Sequence, residues 1–147
     1  MRLKNKTQLE GVRASCRLLA QLFKELKGEV QPGRSTKSLD TWVQAWIKEA
    51  GGIPAFLNYG DKSNPFPAAL CVSVNEEVIH GIPGNRILQN GDLVSLDCGI
   101  NLNGYFSDMA MSVEVGSCAP EIQKLNQVTR ECLYQGIGAI KMPGGRR

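Results

Sequence analysis

The chain has 147 residues, of which 42% are hydrophobic and 21% charged, with a formal net charge of +3. Those values fit one soluble globular domain with a real core, and they exclude a fibrous or disordered chain. The positive charge is spread over the first helix, the loops and the tail rather than gathered in a stripe, which argues against a dedicated nucleic-acid domain.

The opening Met-Arg-Leu-Lys-Asn-Lys has no apolar core, so no signal peptide is expected. No run approaches the ~20 apolar residues of a membrane span. The expected location is the cytoplasm. Thr7 followed by Glu10 reads as a capping box. Leu9, Val12, Cys16, Leu19, Phe23 and Leu26 then recur at helical spacing until Gly28, predicting a helix over 7–27. Pro32-Gly33 marks a turn. A second helix is expected over 36–50, with Leu39, Trp42, Val43, Trp46, Ile47 and Ala50 on one stripe and Gly51-Gly52 as its stop. Its two tryptophans are read as core packing rather than as an aromatic binding site.

Residues 53–57 read as a short strand, and 58–68, rich in Gly, Asp, Ser, Asn and Pro, as a loop. Apolar, β-branched runs follow at 70–74 and 78–79. The clearest strands are 93–100 and 105–115. A last helix is expected from Pro120 to Lys141, with Ile122, Leu125, Cys132, Leu133 and Ile140 as apolar positions and Pro143-Gly144 beyond it. The order predicts an α+β domain in which helices cover one face of an antiparallel sheet. There is no internal repeat or low-complexity segment.

Five cysteines, Cys16, Cys71, Cys98, Cys118 and Cys132, form an odd number without Cys-x-x-Cys spacing. That argues against a disulfide framework and a zinc knuckle. Cys16, Cys98, Cys118 and Cys132 are expected to be buried free thiols.

The most informative stretch runs from Leu93 through Asp97, Asn103-Gly104 and Asp108 to Ser112, and reads as strand, turn, strand. A Leu102-Asn103 loop would place Asp97 directly opposite Asp108. An Asn103-Gly104 loop, the stronger local signal, would place Asp97 opposite Ala110 and diagonal to Asp108. Both registers put the two carboxylates on one face, with Cβ atoms roughly 4.5–8 Å apart. Like charges this close destabilise a sheet unless something offsets them. A solvated face with counterions is one answer. A shared divalent cation is the other, because carboxylates suit such ions and can bridge two of them. His80, the sole histidine, stands just before Gly-Ile-Pro83 at a strand end or loop. It is either structural or a hydrogen-bond donor to a developing oxyanion.

Three segments in register resemble type I methionine aminopeptidases. They are Cys71-Val-Ser-Val-Asn-Glu-Glu-Val-Ile-His80-Gly-Ile-Pro83, Asn90-Gly-Asp-Leu-Val-Ser-Leu-Asp97 and Asn103-Gly-Tyr-Phe-Ser-Asp108. Pro32-Gly33-Arg-Ser-Thr36, Val115-Gly116 and Pro143-Gly144 also fit, so the likeness runs from about residue 7 to residue 144. It implies the N-terminal half of the pita-bread fold and removal of the initiator methionine from nascent proteins by water activated at a dinuclear metal centre. Asp97 would ligate one of two divalent ions (Co, Mn, Fe or Zn) and Asp108 would bridge both. His80 would contact the substrate near the scissile amide and stabilise the transition state. Phe56, Tyr59, Phe66 and Cys71 would form the methionine pocket, whose apolar and sulfur-bearing walls suit a thioether. The loop that carries Tyr59 and Phe66 is longer than the family's usual one.

The resemblance also implies one further His and two Glu ligands from a C-terminal half. The chain holds no second histidine, and Gly145-Arg146-Arg147 stand outside the family pattern. The expectation is therefore a single, incomplete catalytic domain over 1–147, inactive or weak alone, with a missing C-terminal half as one partner. The other expected partner is a peptide or nascent chain starting with Met. A ribosome surface stays open as a docking site, and no membrane or specific nucleic acid is expected. The alternative is a non-enzymatic truncated paralogue that binds nascent chains or the ribosome.

Overall fold

The structure, a computed structural model, describes residues 5–140. The last helix ends at Ala139, with Ile140 as its C-cap, before the expected Lys141; the Pro143-Gly144 stop and the Arg146-Arg147 tail lie outside the described residues. Three helices, α1 (Lys6–Glu29), α2 (Thr36–Glu49) and α3 (Pro120–Ala139), accompany six strands: β1 (Ile53–Pro54), β2 (Gly60–Asp61), β3 (Asn64–Pro65), β4 (Leu70–Val74), β5 (Leu93–Leu102) and β6 (Tyr105–Glu114).

The expected capping box is not formed. Asn5 is the N-cap of α1, and its side chain accepts a hydrogen bond from the Gln8 backbone N–H at 2.9 Å. Thr7 therefore lies inside the first turn, and Glu10 pairs with Arg13 at 2.7 Å. Asn is a strong N-cap residue, so the helix starts at the earlier capping site. Gly28 does not stop α1, which runs on to Glu29. An exposed helical glycine costs about 1 kcal/mol, a penalty that the packed helix tolerates. The buried stripe of α1 is Ser15, Leu19, Leu22, Phe23 and Leu26, leaving Cys16 exposed. The stripe is set by close approach to β6, where the Tyr105 ring lies against Gly11 and leaves no room for a Cβ.

Ser35 caps α2, its hydroxyl accepting from the Ser38 N–H at 3.1 Å. Leu39, Val43 and Ile47 are fully buried, and Trp42 and Trp46 pack partly buried against the same core. Asp40 is also buried. Its Oδ1 accepts from the Ala69 and Leu70 backbone N–H groups at 2.8 and 3.0 Å, which ties α2 to the start of β4.

All ladders of the main sheet are antiparallel. β6 pairs with the whole of β5; β4 pairs with Val94 to Cys98, and β1 with Ile100 and Asn101. A strand has two edges, so β1 and β4 lie end to end on one edge of β5 and β6 on the other. The expected strand over 53–57 shrinks to two residues. Residues 78–79 are not a strand: Asn75 turns the chain straight after β4 with a φ of 58°, leaving Val78 and Ile79 86% and 69% exposed.

Strand alternation splits the sheet into two faces. Val94, Leu96, Cys98 and Ile100 point into the core under α1 and α2. Ser95, Asp97 and Gly99, with Asp108, Ala110 and Ser112 across the ladder, occupy the other face. Helix α3 buries none of its residues, so its apolar stripe does not join the core. Cys132 on it is consequently exposed, contrary to the buried thiol expected there, whereas Cys98 and Cys118 are buried. No helix among the described residues is long and apolar enough to cross a membrane.

Candidate active site

The β5–β6 turn decides between the two registers. Asn103 and Gly104 both have positive φ, 54° and 84°, as a two-residue hairpin loop of this type demands. The Gly104 N–H donates to Asn101 Oδ1 at 2.8 Å. Leu102 then pairs with Tyr105, Asp97 with Ala110, and Asp108 with Gly99. The carboxylates stand in adjacent rows of one face, diagonal to each other. From the far edge, Cys71 of β4 pairs with Asp97.

Two glycines bring the remaining groups in. An ideal Cβ on Gly99 would lie 2.9 Å from Phe56 Cε1 and 3.1 Å from Ala55 Cβ. Only a bare Cα lets the ring lie over the row that holds Asp108. The Ala55 N–H donates to the Gly99 carbonyl at 2.9 Å and fixes that segment. A Cβ on Gly81 would collide with the Val72 carbonyl. Gly81 is clamped to β4, donating to Ser73 Oγ at 3.1 Å and accepting from the Val72 N–H at 2.9 Å. His80, immediately before it, holds a φ of 57°, a left-handed conformation in which His is enriched. Tyr59 and Phe66 are joined backbone to backbone, Phe66 N–H to Tyr59 carbonyl at 2.8 Å, across the small β2–β3 hairpin.

These elements enclose a cavity of about 620 Å³. Phe56, Tyr59, Phe66 and Cys71 line it, and so do His80, Asp97 and Asp108. All seven residues singled out in the sequence thus meet in one place. Ala55, Ile82, Phe106 and Ser107 complete the lining. Phe106 was legible in principle, because strand alternation puts it on the face of Asp108. Ile82, in an irregular segment, carried no such signal.

The electrostatics are unusual for a sheet face. Asp97 Oδ1 is buried and has no hydrogen-bond partner. Burial raises the Asp97 carboxyl above its ordinary range, the Asp108 charge raises it further, and His80 acts in the opposite sense. Burial, followed by the charges of Asp97 and Asp108, pushes the Cys71 thiol up to about 11, so it is a neutral wall at physiological pH. A desolvated carboxylate oxygen without a donor is costly unless a cation satisfies it. Two such carboxylates suit a hard or borderline divalent ion. Among the described residues no group of three or more His, Cys, Asp or Glu is arranged to hold a metal, so Asp97 and Asp108 fit as part of a ligand set.

Fold and site together define a metallopeptidase-like domain, and the chain belongs to metallopeptidase family M24, whose model matches residues 10–147. Within that family it is similar to methionine aminopeptidases. It is 51% identical over 141 residues to that of Treponema pallidum, a match covering 96% of this chain and 53% of that protein. It is 44% identical over 143 residues to methionine aminopeptidase 1 of Bacillus subtilis, covering 97% of this chain and 56% of that protein. The crystal structure of methionine aminopeptidase from Thermotoga maritima superposes with a TM-score of 0.89 at 33% identity, over 96% of this chain and 55% of that one. The chain spans about half the length of the curated relatives it matches.

Proposed function

We propose that this chain carries one wall of the active site of an aminopeptidase that removes N-terminal methionine from nascent proteins in the cytoplasm. The observation that carries the reading is the single cavity in which an apolar, thiol-bearing wall meets the unsatisfied Asp97 oxygen and Asp108. Phe56, Tyr59, Phe66 and Cys71 receive the methionine side chain, whose thioether matches aromatic rings and a neutral thiol. His80, held by the Gly81 clamp, donates a hydrogen bond near the scissile amide. Asp97 and Asp108 would hold divalent cations (Co, Mn, Fe or Zn), which would supply Lewis acidity when bound. Two carboxylates alone bind such ions weakly, so the 147-residue chain by itself releases methionine slowly or not at all, and the remaining ligands come from elsewhere.

The pocket is tested by NMR titration of the 147-residue chain with L-methioninamide and glycinamide. Shifts at Phe56, Phe66 and Cys71 with methioninamide alone are expected; equal response to both, or none, would contradict the reading. Methionine release from a Met-Gly peptide with Mn2+ or Co2+, beside Asp108→Ala and His80→Ala, tests the chemistry. Release above both variants would show that these residues suffice without further ligands.

A second reading is favoured by the lack, among the described residues, of a third metal-ligating group. In that reading the chain is a non-enzymatic product that binds nascent N-termini or a ribosome surface. Methioninamide binding that is indifferent to Mn2+, in a chain that also binds no Mn2+, would select it.

A further inference from the structure

Helix α1 meets the sheet along Gly11, Ser15, Leu19, Leu22 and Leu26, a seam of i, i+4, i+8, i+11 and i+15 spacing. Within it Ser15 is polar and 0% exposed. Its Oγ lies 2.9 Å from Ser107 Oγ and donates to the Ile100 carbonyl at 3.3 Å. The Ser107 hydroxyl donates in turn to the Ser15 carbonyl at 3.1 Å. Ile100 and Ser107 are register partners, one row from the pair of Gly99 and Asp108. One helical hydroxyl therefore ties β5 and β6 together directly behind the row that carries Asp108.

Close packing asks only for a small side chain at position 15, and alanine would meet that demand without burying a polar group. A hydroxyl pair in an apolar seam costs desolvation unless every group is bonded, and here every group is. The bonds go to the two strands that hold the carboxylates and to the residue preceding Asp108.

We propose that Ser15 is a positioning residue for the carboxylate pair: through Ser107 and the Ile100 carbonyl it fixes the placement of Asp108 relative to Asp97, and so sets the affinity of the face for a divalent cation. The proposal rests on the metal-binding reading given above. It makes an α1 residue, far from Asp108 in sequence, part of the site's machinery.

The test uses the 147-residue chain, Ser15→Ala, Asp108→Ala and the double variant. Mn2+ is titrated against each and followed by water-proton relaxation, with a thermal melt of each sample. Ser15→Ala is expected to weaken Mn2+ binding by about tenfold, the lower end of what loss of an outer supporting contact costs a metal site. It should add nothing in the Asp108→Ala background. A purely structural serine would lower the melting temperature and leave the Mn2+ affinity of the folded chain unchanged, and that result overturns the proposal. Should Ser15→Ala fail to fold, Ser107→Ala removes the same link from the strand side and is expected to show the same weakening; unchanged affinity there overturns it equally. If Asp108→Ala binds Mn2+ as the unaltered chain does, the metal reading itself falls, and the role of Ser15 falls with it.

Discussion

The Phe56 ring rests on the bare Cα of Gly99, with Cε1 2.9 Å from where a Cβ would stand. This contact sets an aromatic side chain beside the carboxylate rows. Gly99→Ala is expected to push the ring away and to destabilise the chain by about 1–3 kcal/mol, as overpacking does. It should also weaken methioninamide binding. Thermal melts and the NMR titration check both; unchanged binding in the variant would separate Phe56 from the pocket.

The five thiols should divide by burial. Cys16 and Cys132 are exposed, whereas Cys71, Cys98 and Cys118 are buried. Burial and the neighbouring carboxylates hold Cys71 up at about 11, and the thiolate is the reactive form. Iodoacetamide at neutral pH should label Cys16 and Cys132 in the folded chain and the other three only after unfolding, as read by peptide mass spectrometry. Rapid labelling of Cys71 would contradict its placement.

Asp97 gives a pH signature without metal. Its folded pKa lies above the unfolded value, so its contribution to stability is fully present below the unfolded pKa and is lost as pH rises through the folded one. The metal-free chain should therefore lose stability from this group as pH climbs from about 4, the ordinary carboxylate range, through the raised value. Asp97→Asn should flatten that part of a urea-denaturation series and stabilise the chain at neutral pH. A steeper fall in the variant would reverse the assignment.

Asn5→Ala should cost about 1 kcal/mol as loss of an N-cap, whereas Thr7→Ala should cost little, as measured by chemical denaturation. The reverse order would restore the capping box read from Thr7 and Glu10.

Much of the architecture was legible because strong periodic signals have local causes. The Asn-Gly turn fixed the register that sets Asp97 diagonal to Asp108, and Leu39, Val43 and Ile47 of the expected α2 stripe are buried, whereas Ala50 lies past the helix end and is exposed. The misplacements had tertiary causes. The face of α1 was set by the Tyr105 ring on Gly11, which hides Ser15 and exposes Cys16, and no helical period announces that. Val78 and Ile79 look like a strand, but Asn75 turns the chain away first. Position 132 follows an apolar stripe on α3, a helix that buries none of its residues. The seven residues that line the cavity converge because Gly81 and Gly99 permit close backbone approach, which spacing alone does not encode.

The most direct measurement is anomalous diffraction from a crystal of the chain soaked in Mn2+. A peak within ligating distance of the Asp97 Oδ1 oxygen and of Asp108, absent in Asp97→Ala, is the predicted result. A well-ordered site with both carboxylates facing water and no manganese between them would contradict the account.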